Sequence, residues 1–238
     1  MKIALLGYGK MGKAIEKIAV ESGHEIVLKI GSRNLSELNS ENLRKADVAI
    51  EFSTPQTVIQ NIMFCFEAGT PVIVGTTSWN EHKKSIEEAC LESGNAMLSA
   101  SNFSLGVNLF FALNSHLAHL MNHYKDYKIS IKEIHHTAKL DAPSGTAISI
   151  AEGILEQNHH YNAWENSMNV SSQTIPVESV RLPDVPGTHE VKYTSAEDCI
   201  EITHTAFNRE GFAKGAILAA QWLIGKQGVY SMKDVLNI

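Results

Sequence analysis

The chain has 238 residues, 44% of them hydrophobic and 19% charged, which suits one large globular domain or two small ones and is too apolar for disorder. Its formal net charge is -6, so no overall positive field is present to attract nucleic acid or an anionic membrane. We expect neither as a partner. An anionic substrate would have to be bound by a local cluster of hydrogen-bond donors.

Three cysteines, Cys65, Cys90 and Cys199, are widely spaced and form no paired motif. An odd number with this spacing predicts free, buried thiols in a reducing compartment rather than disulfides. The apolar run at residues 2–6 is too short for a secretion signal or a membrane span. We therefore expect a cytoplasmic protein.

Strand-like and helix-like segments alternate in the first 105 residues. The pattern predicts strands at 2–6, 26–30, 48–52, 71–74 and 96–99, and helices at 10–22, 57–67 and 81–92. Such alternation indicates a parallel sheet covered on both faces, as in a Rossmann-like dinucleotide-binding domain.

The pattern changes after residue 105. Helices are predicted at 105–120 and 145–156, and strands at 128–133, 174–181, 188–194 and 199–206, whereas residues 158–172 show little periodicity. Consecutive strands predict an α+β domain with a mixed, largely antiparallel sheet, and an alanine-rich helix at 209–224 is expected to return to the first domain. The fold class is therefore α/β, with one domain of residues 1–105 and 209–238 and a second of residues 106–208. The cleft between them is expected to close on the ligands.

A glycine-rich turn follows the first strand, with the sequence Gly7-Tyr8-Gly9-Lys10-Met11-Gly12. In a dinucleotide-binding turn, Gly7 permits the tight bend, Gly9 lets the backbone approach a pyrophosphate, and Gly12 lets the helix lie close to the strand. The amides at the start of the helix favour phosphate. The alternative is a glycine-rich turn that only connects strand to helix.

The second strand ends without the acidic residue that usually binds the adenosine ribose of NADH. Ser32 and Arg33 stand there instead, and they offer a hydroxyl and a positive charge to a 2'-phosphate. The cofactor is therefore expected to be NADPH or NADH, with NADPH favoured. Arg33 as an ordinary surface residue is the alternative.

Two more loops follow predicted parallel strands, at the edge where such sheets bind ligands. They are Phe52-Ser53-Thr54-Pro55 and Gly75-Thr76-Thr77. Small hydroxylated residues would let a nicotinamide ring and its ribose approach the backbone. Turn chemistry alone would also explain them.

The most informative segment runs from Glu133 to Thr146 and reads EIHHTAKLDAPSGT. It combines His135, His136 and Lys139 with a helix start whose Pro and Gly leave backbone amides free. A small dianion would find several donors and a positive charge there. Metal binding by His135, His136, His189 and His204 has no short ligand spacing to support it, so no metal is expected.

This segment resembles the 4-hydroxy-tetrahydrodipicolinate reductase family of bacterial lysine and diaminopimelate biosynthesis, whose hallmark is an acid, a histidine pair, a lysine and Asp-Ala-Pro-Ser-Gly-Thr-Ala. The resemblance extends over nearly the whole chain. Further matching pieces are Gly9–Gly12, Phe52-Ser53, Gly75–Thr77, Asn102–Ser104, Pro186–Glu190, Arg209 with Phe212-Ala213, and Gly215-Ala216.

The resemblance implies a reductase that uses NADPH or NADH, with His135 as the acid/base residue and Lys139 as a second proton donor. It also implies that His136, Gly145 and Thr146 bind the substrate carboxylates. The dinucleotide would be bound by residues 7–12, 75–77 and 101–104, which include Ser101, Asn102, Phe103 and Ser104. A homotetramer formed through the second domain is implied as well.

Two departures from the family pattern are visible: the glycine loop is one residue shorter, and the acid after the second strand is missing. The first leaves the contacts of Tyr8 open, and the second favours NADPH. An aspartate-type amino-acid dehydrogenase and a non-catalytic dinucleotide sensor remain the alternative functions. Arg181 and His189 could line a substrate pocket or serve structural contacts, and Arg209 is interpreted as structural.

Overall fold

The computed structural model describes residues 1–208 and 210–238, so Arg209 lies outside the described residues. The chain forms two compact units: Met1–Leu105 with Glu210–Ile238, and Gly106–Arg209. Within the described residues no helix combines the length and the apolar character needed to cross a bilayer.

The first unit contains a six-stranded sheet. Its strands are β1 (Lys2–Leu6), β2 (Glu25–Ile30), β3 (Val48–Glu51), β4 (Val72–Val74), β5 (Ala96–Ser99) and β11 (Gly228–Tyr230). They lie in the order β11-β5-β4-β3-β1-β2, and every neighbouring pair is parallel. The carboxyl ends of all six strands therefore meet at one edge, and the strand order reverses between β1 and β3.

Helices cover both faces of this sheet. They are α1 (Lys10–Glu21), α2 (Ser40–Leu43), α3 (Val58–Ala68), α4 (Lys83–Glu92), α7 (Glu210–Leu223) and α8 (Met232–Leu236). One apolar core joins the sheet to α1, α7 and α8, and a second joins its other face to α2, α3 and α4. The Rossmann-like arrangement predicted from the alternating pattern is thus confirmed.

The second unit has a five-stranded mixed sheet. Its strands are β6 (Lys128–His135), β7 (Ala163–Glu165), β8 (Thr174–Arg181), β9 (Gly187–Thr194) and β10 (Cys199–Ala206), in the order β10-β9-β6-β8-β7. The pairs β10–β9 and β9–β6 are antiparallel, whereas β6–β8 and β8–β7 are parallel. Helices α5 (Leu105–Met121) and α6 (Gly145–Gln157) pack on one face and enclose the core of this unit.

Three sequence expectations need correction. Strand β6 continues through His135 rather than ending at 133. Glu133 and His135 are polar, but they are buried on the same face of the strand as Ile129 and Ile131 and so continue its alternation. The three-residue strands β7 and β11 and the helix α8 were not predicted, since such short segments show no period. Cys65 and Cys90 are buried free thiols, but Cys199 is exposed because it begins the edge strand β10.

Gly215 on α7 lies against the backbone of Phe103, so close that an added Cβ would overlap the Phe103 carbonyl. We expect Gly215→Ala to lower the free energy of unfolding by ~1–3 kcal/mol, the usual cost of overpacking. The matched control is Gly211→Ala on the same helix, whose Cβ would lie 3.6 Å from the hydroxyl of Ser104, an ordinary contact. Urea unfolding should leave the control unchanged or slightly more stable; equal stabilities of the two variants would contradict the close approach.

Candidate active site

The register of the second sheet gathers polar side chains on its helix-covered face. Glu133 is opposite His189 on β9 and opposite Ser179 on β8, and His135 is opposite Arg181. Since residues two apart on a strand share a face, Glu133 and His135 both extend the inward row of β6. Glu133 is 0% exposed, His135 is 7% and His189 is 5%, so the group is withdrawn from water.

The carboxylate of Glu133 is held by donors from three segments. Its Oε2 accepts the amide of Ser144 at 3.0 Å, and its Oε1 accepts Nη2 of Arg181 at 3.1 Å. Nδ1 of His135 lies 3.3 Å from Oε2, within ion-pair distance but poorly aligned for a hydrogen bond. Burial alone would raise the pKa of Glu133, but the side chains of His135, Ser144 and Ser179 and the amide of Ser144 hold it well below its usual range. The carboxyl group is therefore an anion.

His189 is a neutral side chain in this group. Burial and the neighbouring His135 lower its pKa to about 4, although Glu133 acts in the opposite direction. Its Nε2 lies 3.2 Å from the hydroxyl of Ser144, and its ring meets that of His135 edge to face at 5.1 Å. His189 therefore packs against His135 without adding a charge.

Helix α6 begins beside this group. Ser144 is its N-cap, and its hydroxyl accepts the amide of Ala147 at 3.2 Å. The preceding amides of Gly145 and Thr146 have no acceptor among the described residues, and Gly145 is exposed. The first amides of a helix attract anions, so these two could bind a carboxylate.

Lys139 lies in the loop between β6 and α6, and the structure gives it a partner that the sequence did not reveal. Its Nζ contacts both carboxylate oxygens of Asp141, at 2.9 and 2.8 Å. Arg181 supports the same loop by donating to the carbonyl of Asp141 at 2.7 Å. Because Asp141 is exposed and such exposed ion pairs contribute little, a ligand carboxylate could replace it cheaply.

The structure does not bring every predicted residue into this group. The side chain of His136 is half-buried and forms no hydrogen bond or ion pair with the described residues; only its carbonyl is used, by the amide of Lys139 at 3.1 Å. Arg181 and His189, which sequence reasoning left open, both belong to the group. Ser179 was missed, since only the strand register places it there.

Glu133, His135 and His189 could also hold a metal ion, because one ligand atom from each lies within 4.8 Å of the others. The sequence spacing hid this cluster, since its members come from two strands. The carboxylate of Glu133 already serves Ser144 and Arg181, however, so a metal is not needed to offset its charge.

The predicted dinucleotide loops lie together at the carboxyl edge of the first sheet. Gly7 has a φ of 98°, and a Cβ there would overlap the carbonyl of Phe52; a Cβ on Gly12 would overlap the carbonyl of Gly7. A Cβ on Gly9 would meet nothing within 4 Å, so the turn is open where a pyrophosphate would approach. The first amides of α1 would suit such an anion, and the dinucleotide roles of the three glycines stay predictions.

The remaining predicted dinucleotide residues differ in exposure. The hydroxyl of Tyr8 donates to Glu16, which also pairs with Lys29 at 3.1 Å. The Tyr8 hydroxyl therefore already has a partner. Lys10, Ser32, Arg33, Thr77 and Ser101 are exposed, Met11 is half-buried, and Thr76, Asn102, Phe103 and Ser104 are buried. Phe103 packs against the ring of Phe52 at 5.6 Å, so its side chain serves the core.

Sequence reasoning missed a buried carboxyl group below these loops. Glu51, the last residue of β3, is 0% exposed and its Oε1 accepts the side-chain amide of Asn61 at 3.1 Å and the amide of Ser53 at 3.1 Å. The Ser53 amide also donates to the hydroxyl of Thr76 at 2.9 Å. Burial raises the pKa of Glu51 above its usual value, against the opposing effect of these hydrogen bonds. The residue ties two loops of the edge together.

Comparison with known proteins gives one consistent family. Residues 1–103 match the family model "Dihydrodipicolinate reductase, N-terminus", and residues 106–236 match "Dihydrodipicolinate reductase, C-terminus". The chain is 47% identical to the 4-hydroxy-tetrahydrodipicolinate reductase of Christiangramia forsetii, over 100% of this chain and 98% of that protein. It is 34% identical to the enzyme of that name from Neisseria gonorrhoeae, over 94% and 84%.

A solved structure shows the same fold. It is the dipicolinate-bound dihydrodipicolinate reductase from Paenisporosarcina sp. TG-14, with a TM-score of 0.80, 24% identity and coverage of 97% of each chain.

The neutral state of His189 makes stability depend on pH. Its pKa of about 4 in the folded chain is lower than the ordinary value of 6.5, so the unfolded chain binds the extra proton first as the pH falls. The stabilising contribution of neutral His189 is complete above pH ~6.5 and is lost as the pH falls towards ~4. This changes the free energy of unfolding by about 3 kcal/mol. Urea unfolding at several pH values should show that the free energy of unfolding falls less at low pH for His189→Gln than for the wild type. The exposed His82→Gln is the control and should follow the wild type; a parallel loss in all three proteins would contradict this account.

Proposed function

Because this chain belongs to the dihydrodipicolinate reductase family, we propose that its second unit binds the substrate and its first unit binds the dinucleotide. The enzyme is an oxidoreductase of lysine and diaminopimelate biosynthesis that reduces 4-hydroxy-tetrahydrodipicolinate to tetrahydrodipicolinate with NAD(P)H. The reaction consumes one proton and releases NAD(P)+ and water. The observation that carries the assignment of roles is the buried group around His135, next to the open amides of α6.

His135 supplies the proton that the reduction requires. Loss of the 4-hydroxyl group with a proton of C3, as water, turns the substrate into the conjugated imine. The dinucleotide, when bound, would supply hydride to C4 of this imine, which leaves an enamine-like carbanion. The N–H bond of protonated His135 breaks, a C–H bond forms at the adjacent ring carbon, and the electron pair stays on the imidazole nitrogen. The partly buried position of His135 limits competition by water.

The two substrate carboxylates are bound by amides and by positive charge. Among the described residues, the backbone amides of Gly145 and Thr146 have no acceptor, and His136 lies at the start of the loop that leads to them. Lys139 would exchange Asp141 for a substrate carboxylate and act as a second proton donor. Bound there, an ammonium offsets charge that develops in the transition state.

The dinucleotide is bound at the carboxyl edge of the first sheet. The support is the open approach at Gly9, the amides at the start of α1 and the change of strand order between β1 and β3, where ligands of such sheets bind. The set comprises residues 7–12, Ser32, Arg33, residues 75–77 and residues 101–104. NADPH is the favoured cofactor because Ser32 and Arg33 stand where NADH-binding domains place an acid.

The second unit also has features of an interaction surface. Helix α5 exposes Leu109, Leu113 and Leu120 by about half of their surface, and their spacing of four and seven residues places them on one face of the helix. In the described part of the second unit, α5 and α6 pack on one face of the sheet, and the other face carries ion pairs of Lys192 with Glu190 and Glu201. These surfaces support a homotetramer, which a molar-mass measurement in solution tests, and the unpaired cysteines support a cytoplasmic location.

The function is tested by following NADPH oxidation at saturating enzyme-generated substrate, made freshly by the preceding enzyme of the pathway. Rapid oxidation supports the reductase. Oxidation of NADPH with oxaloacetate and ammonia instead would indicate an aspartate-type dehydrogenase. Tight NADPH binding with no accelerating substrate would indicate a dinucleotide sensor.

Replacement of the proton donor should reduce turnover. We expect His135→Gln to lower kcat by roughly 100-fold or more, the usual contribution of a general acid, with little change in the KM for substrate. His159→Gln, an exposed histidine of the same unit, is the matched control and should keep wild-type kcat. Steady-state rates decide: an unchanged kcat in His135→Gln removes His135 from the mechanism.

Replacement of Arg33 should change the choice of dinucleotide. Arg33→Glu places a carboxylate where the 2'-phosphate would bind, so we expect kcat/KM for NADPH relative to NADH to fall by roughly tenfold or more, since a hydrogen bond to a charged group contributes ~1.5–3 kcal/mol. Arg44→Glu, another exposed arginine of this unit, is the control. A ratio that stays constant would show that Arg33 does not contact the cofactor.

A further inference from the structure

His135 has one ring nitrogen committed to the protein interior. Its Nδ1 is buried and has no aligned hydrogen-bond partner among the described residues, and the nearest acceptor is Oε2 of Glu133 at 3.3 Å. The other side of the ring faces Gly187, where an added Cβ would come within 3.0 Å of Nε2. The ring is therefore confined between a carboxylate on β6 and a glycine on β9, with little freedom to turn over.

Glu133 also connects the parts of the site that come from different segments. Its carboxylate accepts the Ser144 amide at the start of α6, and it pairs with Arg181, which in turn holds the Asp141 carbonyl of the loop that carries Lys139. A buried charge is costly to place and is weak evidence for stability, so its presence here calls for another reason. The position beside the ring nitrogen provides one.

We propose that Glu133 is the positioning residue of the reaction: it keeps one proton of His135 on Nδ1, so that Nε2 is the atom that gives its proton to the substrate. The proposal rests on the function of His135 given above. In the transfer, the Nε2–H bond breaks, the C–H bond of the product forms, and the electron pair remains on Nε2. Nδ1 keeps its proton throughout, and Glu133 stays ionised and accepts none.

The carboxylate acts on orientation as well as on the proton. A neutral imidazole can carry its proton on either nitrogen, and the acceptor beside one nitrogen selects the form. An amide in the same place could present its NH2 group to the ring and favour the opposite form. Glu133→Gln keeps the size of the side chain but removes the negative charge that also pairs with Arg181. Because the Ser144 amide and Nδ1 of His135 both approach Oε2, an amide that presents NH2 to the ring gives up the Ser144 bond. An amide that keeps its oxygen there selects the ring form less strongly than a carboxylate does.

The decisive measurement is the ¹⁵N spectrum of the histidine rings in the full-length protein, with the His135 signals assigned by their loss in His135→Gln. In the wild type above neutral pH we expect the proton on Nδ1 of His135. In Glu133→Gln we expect a mixture or the Nε2–H form. This readout needs neither substrate nor dinucleotide. A wild-type ring with its proton on Nε2 would overturn the proposal, even if the variant did not fold.

Kinetics provide the second readout. We expect Glu133→Gln to lower kcat by roughly 10- to 100-fold, by analogy with removal of the carboxylate that orients a metal-binding histidine, while the KM values stay close to those of the wild type. Glu152→Gln, an exposed acid-to-amide change on α6, is the matched control and should keep wild-type kcat. An unchanged kcat in Glu133→Gln would also overturn the proposal.

Failure of the proposed function can be told apart from failure of this inference. If the wild-type protein oxidises neither NADPH nor NADH with the expected substrate, the function is wrong, and the ring spectrum decides only the local claim: Nδ1–H supports the selection of the ring form by Glu133, and Nε2–H contradicts it. If NADPH is oxidised but the ring carries its proton on Nε2, the function stands and the positioning role fails.

Discussion

The carboxylate of Glu133 is the interaction on which the second unit depends. A fully buried anion requires donors, and here they come from the start of α6 and from the end of β8, while His135 of β6 lies at ion-pair distance. These contacts fix where helix amides, imidazole and loop meet. The arrangement follows from the sheet register, because Glu133 lies opposite both Ser179 and His189. A shift of one residue would turn Glu133 to the other face and disperse the group.

The first unit uses a different constraint. Its loops approach one another through positions without side chains, Gly7, Gly12 and Gly75, where a Cβ would overlap neighbouring backbone or the Phe52 ring. Below them the Ser53 amide joins two loops, because it donates both to Glu51 and to the hydroxyl of Thr76. The edge proposed to bind the dinucleotide is therefore built from backbone amides and small residues, whereas the group proposed to bind the substrate is built from charged side chains in a sheet.

Much of this was accessible from the sequence, because the glycine turn, the alternating strands and the segment from Glu133 to Thr146 are local signals. Their elements are present with small differences in bounds. The contacts across strands were not accessible: Ser179 and His189 become partners of Glu133 through pairing that no spacing reveals. The predicted end of β6 was also too early, because the polar residues at its last buried positions do not look like a strand that faces a core. Likewise, Asp141 as the resting partner of Lys139 depends on the loop conformation.

The pairing of Lys139 with Asp141 gives the site a selective property. While Asp141 is paired with Lys139, the pair has no net charge. A singly charged anion that displaces Asp141 therefore only replaces one ion pair with a similar one. A molecule whose second carboxylate also bound the amides at the start of α6 would gain from the exchange. Abundant small anions such as chloride or acetate would then be poor competitors, and discrimination would come from the spacing of two charges rather than from the attraction of one.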